Sequence, residues 1–269
     1  MTNPLLDFSG LPRFDAITPA HVQPAIDALV AEAEAALAVA GRTQPVGWEQ
    51  VVVPLEDATE RLGRAWNQVS HLNAVVNTPE LRAAYNAALP KVTAFFNALA
   101  QDEALYAQYR RLSDEADALG LDPLRRRVIA HALRDFRLGG AALDAEGKAR
   151  LSSVRQELAA LSAQFSEHVL DATDAFSLHV DDAARLAGLP DDVVAAARAT
   201  AEKAGQSGWT LTLQMPCYLP VQTYAEDRDL RETLYRAYGL RASEAGPAER
   251  DNGPLIARIL TLRAEQAAL

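Results

Sequence analysis

The residues of this 269-residue sequence with types suited to catalysis or metal binding are five histidines, one cysteine and a few acidic pairs. A helical zinc peptidase site needs two histidines four positions apart on one face, with a glutamate beside the first to activate the bound water. His21, His71, His131, His168 and His179 contain no such pair. Glu167-His168 is half of the pattern without its second ligand, and reads as a polar position beside a helical seam. Ser70-His71 is the one immediate Ser-His pair, but adjacent residues on a helix point about 100° apart and cannot face each other. Cys217 has no basic residue close in sequence to activate it and reads as a packed thiol. Asp181-Asp182 and Asp191-Asp192 precede helix-competent stretches and read as turn and cap chemistry. Gly139-Gly140 lacks the third glycine and the lysine of a phosphate loop. The expectation is therefore no catalytic residue and no metal ligand in this chain, with substrate contacts unassigned.

The elements that position these residues follow from composition and period. Hydrophobic residues make up 49% and aromatics 6%, with glycine and proline clustered between periodic segments, which favours helices over sheet. The formal charge is −10, with basic residues scattered among acidic ones, so a nucleic-acid partner is not expected. The longest cationic run, Arg125-Arg126-Arg127, followed by Arg134 and Arg137, reads as a solvated helix face. A single cysteine excludes an internal disulfide and a cysteine-based zinc site. No apolar run approaches the roughly 20 residues of a membrane span. The opening residues carry no secretion signal. The expected location is the cytoplasm, without a membrane partner.

Helix starts are signalled at Thr18-Pro19, Thr78-Pro79, Asp102, Asp122-Pro123 and Asp144, each ahead of apolar residues at helical spacing. Trp48 to Leu72 forms a further helical segment with Pro54 near its start, and Pro90 predicts a kink or a break into two helices. Leu151, Val154, Leu158, Leu161, Phe165 and Val169 predict one long helix with a continuous apolar seam. Two stretches alternate like strands. The first places Phe176, Leu178 and Val180 on one apolar face, and the second places Trp209, Leu211, Leu213 and Met215 on another. A short helix from Asp191 to about Lys203 separates them, and Pro216 to Pro220 reads as a break before helix resumes through Leu230, Leu234 and Tyr238. The glycine pair divides the chain into an N-terminal helical region, 1–140, and a second region, 141–269, with the long helix, the ribbon and further helices. The last segment is still periodic at Leu269 with no cap signal after Pro254, so a chain cut from a longer one is expected.

Several strings remain that helix formation alone does not account for. They are Met1-Thr2-Asn3-Pro4-Leu5-Leu6, Val69-Ser70-His71-Leu72-Asn73, Leu133-Arg134-Asp135-Phe136, Val169-Leu170-Asp171-Ala172-Thr173 and Tyr218-Leu219-Pro220-Val221. Leu230-Arg231-Glu232, Tyr235-Arg236-Ala237-Tyr238 and Arg241-Ala242-Ser243 complete the set. In this order they closely resemble the N-terminal region of bacterial members of the thimet oligopeptidase family of zinc metallopeptidases, over essentially the whole chain. The resemblance implies a mainly α fold with one small two-stranded β element. It also implies a cytoplasmic parent enzyme that uses zinc to hydrolyse short peptides, with this segment as one wall of the substrate channel. The family's His-Glu-x-x-His site lies further toward the C-terminus and matches no position here. Zinc is thus expected in the full-length parent and not in this segment, and the partners are short peptides and the absent catalytic domain. Leu133 to Phe136 and Tyr235 to Tyr238 are candidate channel or interface residues, with internal packing as the alternative. The alternative for the whole chain is a stand-alone helical adaptor that binds peptides or proteins without cleaving them.

Overall fold

The structure, a computed structural model, describes residues 3–269. Met1 and Thr2, which open the first string of the resemblance, lie outside the described residues. Among the described residues there are ten α-helices and one two-stranded antiparallel sheet, the helix-dominated architecture expected from composition and period. The chain separates into two compact units, residues 1–160 with 264–269, and residues 161–263. The boundary falls inside the long helix, downstream of the 140/141 division suggested by the glycine pair.

In the first unit, α1 (Pro19–Ala40), α2 (Val53–Val75) and α3 (Pro79–Gln101) bury one core that includes Ile26, Leu29, Leu62, Val69, Leu81, Val92 and Phe95. A second core, with Val51, Leu55, Leu105, Leu112, Ile129 and Phe136, joins α2 to α4 (Glu103–Asp114) and α5 (Pro123–Gly139). Side-chain caps start these helices: Leu81 N donates to Thr78, Leu105 N to Asp102 and Arg125 N to Asp122. Each bond satisfies an amide that has no partner inside the helix. At α1 the reciprocal bond is made by a histidine, with Thr18 N donating to His21 Nδ1 at 3.0 Å. A π-helical turn, Trp48–Val52, leads into α2.

The chain does not break at Pro90. Helix α3 runs unbroken through it, as α1 does through Pro24. A proline removes a single backbone bond, and here the helix is fixed on both sides of the gap by Leu81, Ala88, Val92 and Phe95 in the core. Helix α5 ends at Gly140, in the left-handed region at φ 94°. Its last carbonyls are taken up by Arg155 of α6 (Ala145–Asp174), which donates to Leu138 O at 3.2 Å and Gly139 O at 3.1 Å. Asp144 caps α6 through Gly147 N at 2.8 Å. Near the same end Arg150 forks onto Glu265 of α10 (Gly253–Ala268), with Nη2 to Oε2 at 2.7 Å. The apolar seam of α6 is fully buried only over its first half. Leu151, Val154 and Leu158 are buried, whereas Leu161, Phe165 and Val169 are half-buried.

In the second unit β1 (Ser177–Val180) and β2 (Trp209–Thr212) pair with Leu178 opposite Leu211 and Val180 opposite Trp209. Directly paired residues project to the same side, so the two apolar sets share one face instead of forming two. That face belongs to a core with Val193 and Ala197 of α7 (Asp191–Lys203), Val221 of α8 (Met215–Tyr224), and Leu230 and Leu234 of α9 (Arg228–Gly239). The second strand stops at Thr212, and Met215 is the first residue of α8. Pro216, expected to break the chain, starts this helix: Gln214 is extended at the cap and proline's fixed φ is already helical. Pro220 sits within the helix at the loss of one bond.

Candidate functional site

The five histidines lie on separate segments of the fold. His21 caps α1, His71 lies 5.2 Å from the ring of Phe14, and His131 is exposed on α5. His168 Nδ1 is 2.9 Å from Asn252 Oδ1. Because Asn252 Nδ2 donates to Phe165 O, its Oδ1 is the acceptor and His168 carries the proton on Nδ1. His179 Nε2 is 2.8 Å from Asp181 Oδ1. Among the described residues no group of three His, Cys, Asp or Glu side chains is placed to hold a metal ion. Asp182 caps a 3-10 turn through Ala184 N, and Asp191 and Asp192 lie in the first turn of α7. The half-buried thiol of Cys217 accepts from Thr212 N at 3.3 Å, and burial pushes its pKa up. A neutral thiol of this kind is a poor nucleophile.

What the fold does bring together is a part of the set of strings carrying the resemblance. In the second unit, Tyr218 of α8 and Tyr238 of α9 stack with ring centres 4.0 Å apart and planes 12° from parallel. The Arg241 guanidinium lies 3.4 Å from the centre of the Tyr238 ring and donates to Thr173 Oγ1 at 3.0 Å. Residues from the strings beginning at Val169, Tyr218, Tyr235 and Arg241 thus form one cluster. The pKa of Tyr218 is raised, chiefly by desolvation and then by the neighbouring phenols. Beside the cluster α8 and α9 border a groove of about 530 Å³, lined by Gln222, Arg228, Arg231, Glu232, Tyr235 and Arg236. Gln222 and Arg231 are held by backbone carbonyls, Arg236 pairs with Glu232 at 2.7 Å, and Tyr235 is 65% exposed. Met215 and Leu219 are also exposed on α8. This surface offers rings for stacking and guanidinium and amide donors for carbonyls and carboxylates. The role of Arg241 was missed from sequence, since its partners lie up to 68 residues away.

The string Leu133 to Phe136 divides. Phe136 is buried against Tyr106 and Tyr109, while Asp135 is exposed and paired with Arg134. Tyr109 is buried too, and its phenol is pushed well above its ordinary pKa, first by burial and then by the Glu56 carboxylate. Folding therefore favours the neutral phenol. The stabilisation is intact below about pH 10 and declines as pH rises past the value at which the unfolded phenol ionises. Tyr109→Phe should lose less stability than the parent between about pH 9 and pH 11 in denaturant titrations. Equal losses in the two proteins would contradict a buried phenol.

Residues 26–148 match the neurolysin/thimet oligopeptidase N-terminal domain family. Along its whole length the chain is 43% identical to oligopeptidase A of Salmonella typhimurium, 42% to that of Escherichia coli and 41% to that of Haemophilus influenzae. Each comparison covers 100% of this chain and 40% of the relative, so the chain spans about two fifths of the length of these relatives. No helix among the described residues is long and apolar enough to cross a membrane.

Proposed function

We propose that this chain, whose residues 26–148 match the neurolysin/thimet oligopeptidase N-terminal domain family, is the non-catalytic, N-terminal portion of a cytoplasmic zinc-dependent oligopeptidase that hydrolyses short peptides. The observation that carries this reading is identity of 41–43% along the entire chain to proteins named oligopeptidase A, of which it spans 40%. The described residues do not fit a zinc ion, since the histidines are separated and His21, His168 and His179 are hydrogen-bonded to other groups. The metal site and the chemistry of peptide hydrolysis are therefore assigned to residues beyond this chain, and no catalytic step to residues within it.

The part played by this chain is to shape access. We assign the exposed face of α8 and α9 to the wall of the substrate channel. Tyr235 and the arginines around it present flat rings and forked donors to a passing peptide, and these recognise backbone and charge without reading side-chain identity. Narrow access selects short, unfolded peptides by exclusion. In a protein of the relatives' full length, Tyr235→Ala should raise KM for short peptides about 3- to 10-fold, the loss of one aromatic contact. Bound zinc and kcat should stay within about twofold of the parent. An unchanged KM across peptides of several lengths would remove the α8–α9 face from the channel wall.

A further inference from the structure

A second groove, of about 340 Å³, lies in the first unit among α2, α3, α4 and α5 and shares no lining residue with the α8–α9 groove. Its walls are apolar and aromatic: Leu55, Phe96, Leu99 and Phe136. Phe96 keeps 39% of its surface exposed, unlike its neighbour Phe95 in the core. Two acidic side chains border it, Glu56 on α2 and Asp135 on α5, and among the described residues no basic side chain lines it. Asp135 is already paired with Arg134. Glu56 has no ion-pair partner among the described residues, and its carboxylate is close enough for its charge to bear on the buried phenol of Tyr109.

Unpaired charge beside an apolar cavity determines what can fill it. A neutral apolar group would strip water from Glu56 with nothing in return, and an anion would be repelled. A cation on an alkyl stem suits both parts, its stem against Leu55 and Leu99 and its charge between Glu56 and the aromatic rings. We infer that this groove is a binding site for the lysine or arginine side chain of an extended peptide, with Glu56 as the partner of the charge and Phe96 as the wall of the stem. The site needs no catalysis, and it stands whether or not the α8–α9 face lines a channel.

The test titrates the chain with blocked tripeptides Ala-X-Ala, in which X is lysine, arginine, norleucine or glutamate, and follows methyl NMR shifts of Leu55, Leu99 and Ala132. Lysine and arginine peptides should bind in the millimolar range and shift these methyls, and norleucine should bind about 3- to 10-fold more weakly. Glu56→Gln should abolish the difference between lysine and norleucine, and Phe96→Ala should weaken all binding to the groove. Both positions are at the surface, and unchanged melting of the two variants establishes that they fold. Norleucine binding as tightly as lysine, lysine binding unaffected by Glu56→Gln, or shifts confined to α8 and α9 would each overturn the assignment.

Discussion

Gly188→Ala should destabilise the second unit by about 3 kcal/mol or more, the largest effect expected of alanine at any glycine of this chain. Gly188 sits between the 3-10 turn Ala183–Leu186 and α7 at φ 86°. There the chain passes so close to the end of α8 that an added Cβ would lie 2.2 Å from Tyr224 O. The neighbouring bond from Glu226 N to Ala187 O, 2.9 Å, holds the two segments at that separation. The obstacle is backbone, which cannot rotate away like a flexible side chain, so the bond or the turn must yield. Gly205→Ala is the control, because its φ is 72° and nothing lies within 4 Å of an added Cβ. It carries only the left-handed backbone penalty, roughly 1–2 kcal/mol. Trp209 is the sole tryptophan of the second unit, so its fluorescence, with Trp48 and Trp66 replaced by phenylalanine, reports on this unit. Equal shifts in denaturant midpoint for the two alanine variants would show that Gly188 makes no such close approach.

How much of this was legible in the sequence depended on the distance over which each feature is determined. Thr18, Thr78, Asp102, Asp122 and Asp144 mark helix starts because a cap and its amide lie within three residues of each other. The strands at Ser177 and Trp209 were legible by alternation, but their shared face was not, since it depends on pairing between residues 29 to 35 positions apart. Pro216 misled because the missing N–H and ring clash that disrupt a helix interior cost nothing in a first turn, where proline's φ is already helical. The seam of α6 was overextended because period shows which residues share a face, and says nothing of how much of that face is covered. Surfaces were least legible. The stack of Tyr218 on Tyr238 joins two consecutive helices, the groove beside Glu56 joins side chains from four, and no local pattern announces either.

The central claim is that this chain shapes a peptidase whose chemistry lies elsewhere. It is tested most directly by measuring bound zinc and hydrolysis of a short fluorogenic peptide on this chain and on a protein of the relatives' full length, prepared in parallel. The account predicts about one zinc per molecule and chelator-sensitive turnover in the longer protein. It predicts neither in the chain alone, a difference on the order of 10⁶-fold or more in rate, the scale by which enzymes accelerate reactions. Chelator-sensitive turnover by the 269-residue chain, in a preparation free of contaminating peptidase, would contradict it.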